Sequence, residues 1–245
     1  RSLHLLGNIA WVSGYPEEAG GYYQALATEA RALGSPERMA AALNNLAMLD
    51  EAKGHLREAA AGYRRVEALG EAHGLARITA FARLYRGNLY HRLGLPERAV
   101  PLFLEAEAIF QGLGRERLQA VAASNCGASL QRMGELRRAS RAYGRALSIR
   151  SRLGDRAGRL QTLLHLAELS KERGDEKEAE LRLEEILAAT ETAGDAGSLR
   201  LRWGALLSLS EMKLERAALE EAGESLSETE DLAQRVGSAL DRIET

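Results

Sequence analysis

Residues 134–154 read GELRRASRAYGRALSIRSRLG, one amphipathic stretch closed at each end by a glycine. The register of these residues repeats along the whole chain. Steps of 40 from Gly134 land on Gly14, Gly54, Gly94 and Gly174. Steps of 40 from Gly154 land on Gly34, Gly74, Gly114 and Gly194. The alanine between them belongs to a third ladder, Ala19, Ala59, Ala99, Ala139 and Ala179. Glycine is about a tenth of the chain, so one five-member ladder has odds of roughly one in a hundred thousand. The chain is an array of 40-residue units.

Each unit reads as two helices. A glycine just past a helix end takes the left-handed conformation without a Cβ clash. Pro16, Pro36 and Pro96 fall in first turns, where the missing N–H costs nothing. Ser35, Asp155, Asp175 and Asp195 stand where a side-chain oxygen can cap an orphan amide. The spacing predicts helices over 1–13, 16–33, 36–53, 56–73, 76–93, 96–113, 116–133, 136–153, 156–173 and 176–193. No stretch has the alternation of a strand. In the sixth unit Leu214 replaces the expected glycine and the next ladder position is Gly237. Ala222 then takes the alanine column, with helices over 197–215 and 218–236.

Three columns describe the core. Twelve residues before each ladder alanine comes a small residue of the first helix: Gly7, Ala47, Gly87, Gly127 or Ala167. Four residues after it comes a large one, Tyr23, Tyr63, Phe103, Tyr143 or Leu183, on the same helical face. Small residues in two columns let the helix pair approach closely, and the large ones fill the space between one pair and the next.

This pattern resembles the tetratricopeptide repeat (TPR). The resemblance rests on Leu46-Ala47 in a first helix, Gly54 at the turn, then Ala59 and Tyr63 in the second. The unit is longer than the usual ~34 residues, and the terminal proline of the standard motif is replaced by Gly74 and its equivalents. Such long repeats are similar to those of bacterial signal-transduction ATPases and maltose-activator-type regulators. HEAT repeats share the period, but their proline-kinked first helix is missing. The resemblance implies an all-α, right-handed α-solenoid superhelix of about six helix-turn-helix repeats. The repeats fall near 1–34, 35–74, 75–114, 115–154, 155–194 and 195–237, in one domain over 1–245. The chain starts at Arg1 in mid-pattern, and it reads as a fragment with uncapped apolar ends.

In the family, first helices line the inner groove. Carried onto this sequence, the inward positions are His4, Leu5, Asn8 and Trp11 in the first unit and Asn44, Asn45, Met48 and Glu51 in the second. Leu84, Tyr85, Asn88 and His91 follow, then Ser124, Asn125, Ala128 and Gln131, then Leu164, His165, Glu168 and Lys171. Asn8, Asn45, Asn88 and Asn125 could clamp a peptide main chain, since an amide both donates and accepts. Equally, they could solvate an empty wall or cap neighbouring helices. Trp11, Tyr85 and Met48 offer apolar sub-pockets. The lysines and arginines with which chaperone-binding repeats grip a terminal carboxylate are missing from these columns.

No phosphate loop, dinucleotide fingerprint or paired-histidine metal motif is present, so no catalysis, cofactor or metal is expected. Cys126 sits in an apolar column and reads as a buried inert thiol. A single cysteine fits a reducing, cytoplasmic setting. No apolar run reaches the ~20 residues of a membrane span. The net charge of −2 hides a polarity: residues 111–160 are arginine-rich and residues 161–245 are acidic. Arg137, Arg138, Arg141 and Arg145 share one face of a second helix, predicted as a basic convex patch. Without aromatic interleaving it does not read as a nucleic-acid surface. The charge blocks are compatible with self-association. The expected function is non-enzymatic binding of a protein or peptide in the groove. The alternative is the sensing arm of a larger signal-transduction ATPase, kinase or transcriptional regulator.

Overall fold

The computed structural model describes residues 2–215 of the 245-residue chain. The described residues form eleven α-helices and no strand. They are α1 (Ser2–Val12), α2 (Pro16–Ala32), α3 (Pro36–Ala52), α4 (Leu56–Ala72), α5 (Ala76–Arg92) and α6 (Pro96–Gly112). After these come α7 (Glu116–Arg132), α8 (Leu136–Arg152), α9 (Arg156–Glu172), α10 (Glu176–Thr190) and α11 (Ala196–Glu215). The second helix expected over 218–236, with Ala222 and Gly237, lies outside the described residues. The chain divides into two compact units, Arg1–Met133 and Gly134–Thr245.

The turns show why the helices stop where they do. Gly34 has φ +59°; its N–H bonds the Arg31 carbonyl, and the Ser35 N–H bonds the Ala30 carbonyl. This paired arrangement satisfies two of the carbonyls that a helix end orphans. Gly14, Gly54, Gly74, Gly94, Gly114, Gly134, Gly154 and Gly174 share the positive φ. The ladder fails at Gly194, which is not among the left-handed glycines. There α10 ends at Thr190 rather than at 193, and the Thr190 hydroxyl donates back to the Ile186 carbonyl at 2.7 Å. Such back-bonding competes with continuation of the helix. Helix starts also divide. Ser35, Asp155 and Asp195 cap with their side chains, accepting from Arg38, Gly158 and Ser198 N–H. Asp175 stands at the cap position but makes no side-chain cap bond; it meets Arg173 at 3.2 Å instead.

The three core columns are buried. All five ladder alanines are fully inaccessible, and Tyr23, Tyr63, Phe103, Tyr143 and Leu183 are buried beside them. The reason for the small column is visible at Gly87. A Cβ there would lie 2.7 Å from Phe103 Cε1, so the ring lies on the first helix of its own pair. Tyr63 does both jobs: it packs on Ala47 within its pair and against Leu89 and Tyr85 of the next. Burying each such side chain contributes about 1.5–3 kcal/mol.

Consecutive helices pack side by side within each unit, and first helices also touch across one repeat, α3 with α5, α5 with α7, and α9 with α11. No comparable contact among the described residues joins second helices. First helices therefore form the tighter inner wall of each unit and second helices its outer face. This is the all-α solenoid pattern of helix-turn-helix repeats.

Two residues depart from the expected roles. Arg86 stands in the column that holds Leu46, Cys126 and Leu166. Its charge is met by Glu67 on α4, which also pairs with Arg83 at 2.8 Å. Arg150, in the arginine-rich stretch 111–160, is buried. It donates to the Gly158 carbonyl at 2.7 Å and the Thr162 hydroxyl at 2.5 Å, tying α8 to α9.

Candidate functional site

The inner wall of the first unit carries a cavity of about 450 Å3. Its rim and floor come from the four first helices α1, α3, α5 and α7 and from the α4 and α6 core. Trp11 (α1) and Met48 (α3) lie at one side, Tyr85 and Asn88 (α5) in the middle, Asn125 and Ala128 (α7) at the other. Tyr63 and Phe103 reach it from the second helices, and Glu51, His91 and Arg92 supply its charged or titratable groups. A smaller cavity of about 70 Å3 adjoins it, sharing Trp11 and Met48 and adding Asn8, Tyr23 and Asn45.

Helical periodicity accounts for the gathering. Tyr85, Asn88 and Arg92 are separated by three and four residues and share one face of α5. Asn125 and Ala128 repeat that face on α7, and Met48 and Ala52 repeat it on α3. The close packing of first helices then sets these faces side by side.

The asparagines are joined in pairs across neighbouring first helices. Asn45 Nδ2 donates to Asn8 Oδ1 at 3.4 Å, and the Tyr23 hydroxyl donates to the same oxygen at 3.0 Å. Asn125 Nδ2 donates to Asn88 Oδ1 at 2.8 Å. Each pair is 37 residues apart in sequence. They bridge repeats, an arrangement different from both capping and simple solvation. Asn44 differs from the rest: Nδ2 bonds Met48 Sδ at 3.5 Å, and its buried Oδ1 has no partner.

The charged part of the cavity is built on Glu51, whose side chain is only 16 % exposed. The Tyr63 hydroxyl donates to Oε2 at 2.6 Å, and Arg92 Nη2 reaches Oε1 at 2.7 Å. Burial, then the bond to Glu51, raises the Tyr63 pKa far above the usual phenol value. The hydroxyl is therefore a fixed donor. His91 Nδ1 lies 2.9 Å from Ser129 Oγ, and Arg132 donates to the His91 carbonyl at 2.9 Å. Burial and the nearby Arg132 charge lower the His91 pKa, favouring the neutral ring.

Other expected residues lie elsewhere. His4 and Gln131 do not line this cavity, and Leu84 and Ser124 are buried between helices rather than facing the wall. His165 and Glu168 belong to the second unit. There His165 stacks on Tyr143 with ring centroids 5.4 Å apart, and its Nδ1 lies 3.6 Å from Glu168. Glu168 lines a separate groove of about 1000 Å3 between α9 and α11, together with Leu164, Lys171, Trp203 and Glu211. Arg137, Arg138, Arg141 and Arg145 are exposed on α8, and Arg138 pairs with Glu135 at 2.6 Å.

Sequence reasoning missed four cavity residues, Ala52, Tyr63, Arg92 and Phe103. Tyr63 and Phe103 read as core alone, yet one edge of each ring reaches the cavity. Arg92 sits one position past the expected inward column. The available signal was opposite charge near the repeat distance: Glu51 and Arg92 are 41 apart.

Among the described residues no group of histidine, cysteine and carboxylate side chains could hold a metal, and no helix is long and apolar enough to cross a membrane.

A search of curated proteins finds no match to the chain. Among solved structures, BtubC (BKLC) from P. vanneervenii is similar at 23 % identity and a TM-score of 0.70, with 82 % of this chain and 78 % of that one covered. A Signal Transduction ATPase with Numerous Domains (STAND) protein with a tetratricopeptide repeat sensor, from Pyrococcus horikoshii, is similar at 11 % identity and a TM-score of 0.80. That match covers 98 % of this chain and 37 % of the other. The apo form of RapI is similar at 14 % identity and a TM-score of 0.73, covering 99 % and 74 %. These are likenesses of fold. The tetratricopeptide repeat family model matches residues 78–152 and 118–192. Residues 78–192 are thus tetratricopeptide repeats, a framework that supports a protein-interaction module, and the same columns run on before that segment as far as Gly7 and Ala19.

Proposed function

We propose that the chain is a non-enzymatic binding module that takes a peptide or partner segment along the first-helix wall of its first unit. The observation that carries this is the cavity there. Aromatic and thioether surface from Trp11, Met48 and Tyr85 surrounds a few convergent polar groups, the composition expected of a recognition site. Its size suits one or two side chains of a bound segment. The nearest approach to a catalytic pair is His91 with Ser129, and Ser129 is 0 % exposed, so its hydroxyl cannot reach a substrate. The asparagine pairs hold neighbouring first helices in register and keep amide edges on the wall for main-chain bonds.

The test compares two substitutions on a partner recovered with the wild-type chain. Met48→Asp, on the wall, should weaken binding by tenfold or more, while Arg141→Ala, on the outer face of α8, should leave it near wild type. The opposite order would sink the proposal.

A second reading is a sensing arm of a larger regulator. It rests on the likeness to the STAND protein, of which this chain matches a 37 % share. Nucleotide hydrolysis by the intact natural protein that changes when Met48→Asp is introduced would favour it; indifference would remove it.

A further inference from the structure

We propose that the first-unit cavity is a receptor for a cationic side chain, a guanidinium or an alkylammonium presented by a peptide, which docks on Glu51 in place of Arg92. This rests on the reading of the cavity as a binding site and names its ligand chemistry.

The two oxygens of Glu51 are held very differently. Oε2 is fixed by the Tyr63 hydroxyl, whose own residue is 1 % exposed. Oε1 is met by Arg92, whose side chain is 61 % exposed. A carboxylate this enclosed needs a positive partner, because an unpaired charge held away from water is strongly disfavoured. Arg92 supplies that partner from outside, on a long side chain that water can solvate as well as Glu51 can. Only the Arg92 end of the pair is open to solvent, so that end can be exchanged for another cation. A ligand cation that takes over Oε1 therefore releases Arg92 to solvent at little cost and keeps the carboxylate paired.

The surroundings favour a cation as well. Trp11, Tyr63, Tyr85 and Phe103 line the same cavity, and Tyr63 and Tyr85 stack with centroids 5.8 Å apart. Aromatic faces attract a desolvated cation. The remaining polar groups add no competing charge. Asn88 and Asn125 are neutral and bonded to each other, and His91 is biased towards its neutral ring. An anionic ligand would meet the Glu51 carboxylate with Arg92 already committed to it. The 450 Å3 of space accommodates an arginine or lysine side chain with its flanking backbone.

The probes are three blocked pentapeptides of alanine with a central arginine, citrulline or glutamate. They are titrated to millimolar concentration against the whole chain, reading the amide signals of Asn88 and Asn125 and the indole of Trp11. Citrulline keeps the shape of arginine and removes its charge. The arginine peptide should bind, with the citrulline and glutamate peptides about tenfold or more weaker. Glu51→Gln, which keeps an acceptor for Tyr63, should abolish the preference for arginine. Arg92→Ala, at an exposed position that leaves the core untouched, strips Glu51 of its cation and should tighten the arginine peptide by about tenfold or more. If arginine and citrulline peptides shift the signals equally, the cleft binds peptides and the cation proposal is wrong. Preferred binding of the glutamate peptide, or weaker arginine binding in Arg92→Ala, would also overturn it. If no peptide moves these signals, the binding-site reading falls and this proposal with it.

Discussion

Gly62→Ala tests how closely a repeat's two helices are packed. A Cβ on Gly62 would lie 2.7 Å from Ala47 Cβ and 3.4 Å from Ala47 Cα. Ala47 has no rotamer to move, so α3 and α4 must separate. Overpacking of this kind costs about 1–3 kcal/mol. Replacing glycine by alanine inside a helix returns about 1 kcal/mol, so the single variant should lose about 0–2 kcal/mol. Ala47→Gly alone loses about 1 kcal/mol of helix propensity and about 0.8 kcal/mol for the buried methyl. The double variant moves the methyl from one side of the contact to the other and should return close to wild type. The two changes should then be coupled by about 2–4 kcal/mol in the stabilising direction. Gly21→Ala is the control, since nothing lies within 4 Å of its Cβ position; it should stabilise by about 1 kcal/mol. The chain has two tryptophans, one in each unit. A Trp203→Phe background leaves Trp11, beside Met48 and Ala52 of α3, as the reporter in urea titrations. Additivity of Gly62→Ala and Ala47→Gly within about 0.5 kcal/mol would show that the contact does not limit the approach of the helices.

The caps should separate in the same titrations. Asp155→Ala should cost about 1 kcal/mol, while Asp175→Ala, which has no cap bond to lose, should cost a few tenths of that; Trp203 fluorescence in a Trp11→Phe background reports both. Arg150→Ala should destabilise the second unit by about 1.5–3 kcal/mol, read by the same tryptophan, because it removes the charged donor shared by Gly158 and Thr162. His91 titrates below its ordinary 6.5 in the folded chain, so the unfolded state binds more protons. Its contribution is present above 6.5 and lost as pH falls through the lower folded value. Urea midpoints followed by Trp11 should therefore drop over that interval, and His91→Gln should flatten the drop.

Whatever repeats was legible in the sequence; what differs between repeats was legible only in part. The glycine ladders marked nine turns because a left-handed C-terminal position admits almost nothing else. The alanine and aromatic columns were legible because buried close contacts tolerate few sizes. Gly194 escaped this logic, since α10 already ends at Thr190, an early stop that spacing does not reveal. Arg86 in an apolar column and Arg150 in a basic block have the same cause. A buried charge is acceptable wherever a partner happens to face it, and the partner comes from another helix. Inner-wall positions such as Trp11, Met48, Tyr85 and Asn88 came from the family resemblance carried along the repeat register. Tyr63 and Arg92 did not, because one serves the core and the cavity together and the other reaches back across a repeat.

That reach across a repeat follows from the geometry of the array. One inner column holds Trp11, Glu51, His91, Gln131 and Lys171, five different chemistries on one scaffold position. Besides the Tyr63 bond to Glu51 within one repeat, three bonds at this column go to the following repeat: Glu51 pairs with Arg92, the His91 carbonyl accepts from Arg132, and Lys171 meets Glu211 at 2.5 Å. The offsets are 41, 41 and 40 residues. A first helix thus presents a group, and the next first helix decides whether that group is neutralised, oriented or left available. The core columns can stay nearly invariant because they set only the spacing between helices. The polar chemistry of the inner wall is shared between adjacent repeats, so changing one inner residue alters a contact with its neighbour while leaving the helix pairs that hold both intact.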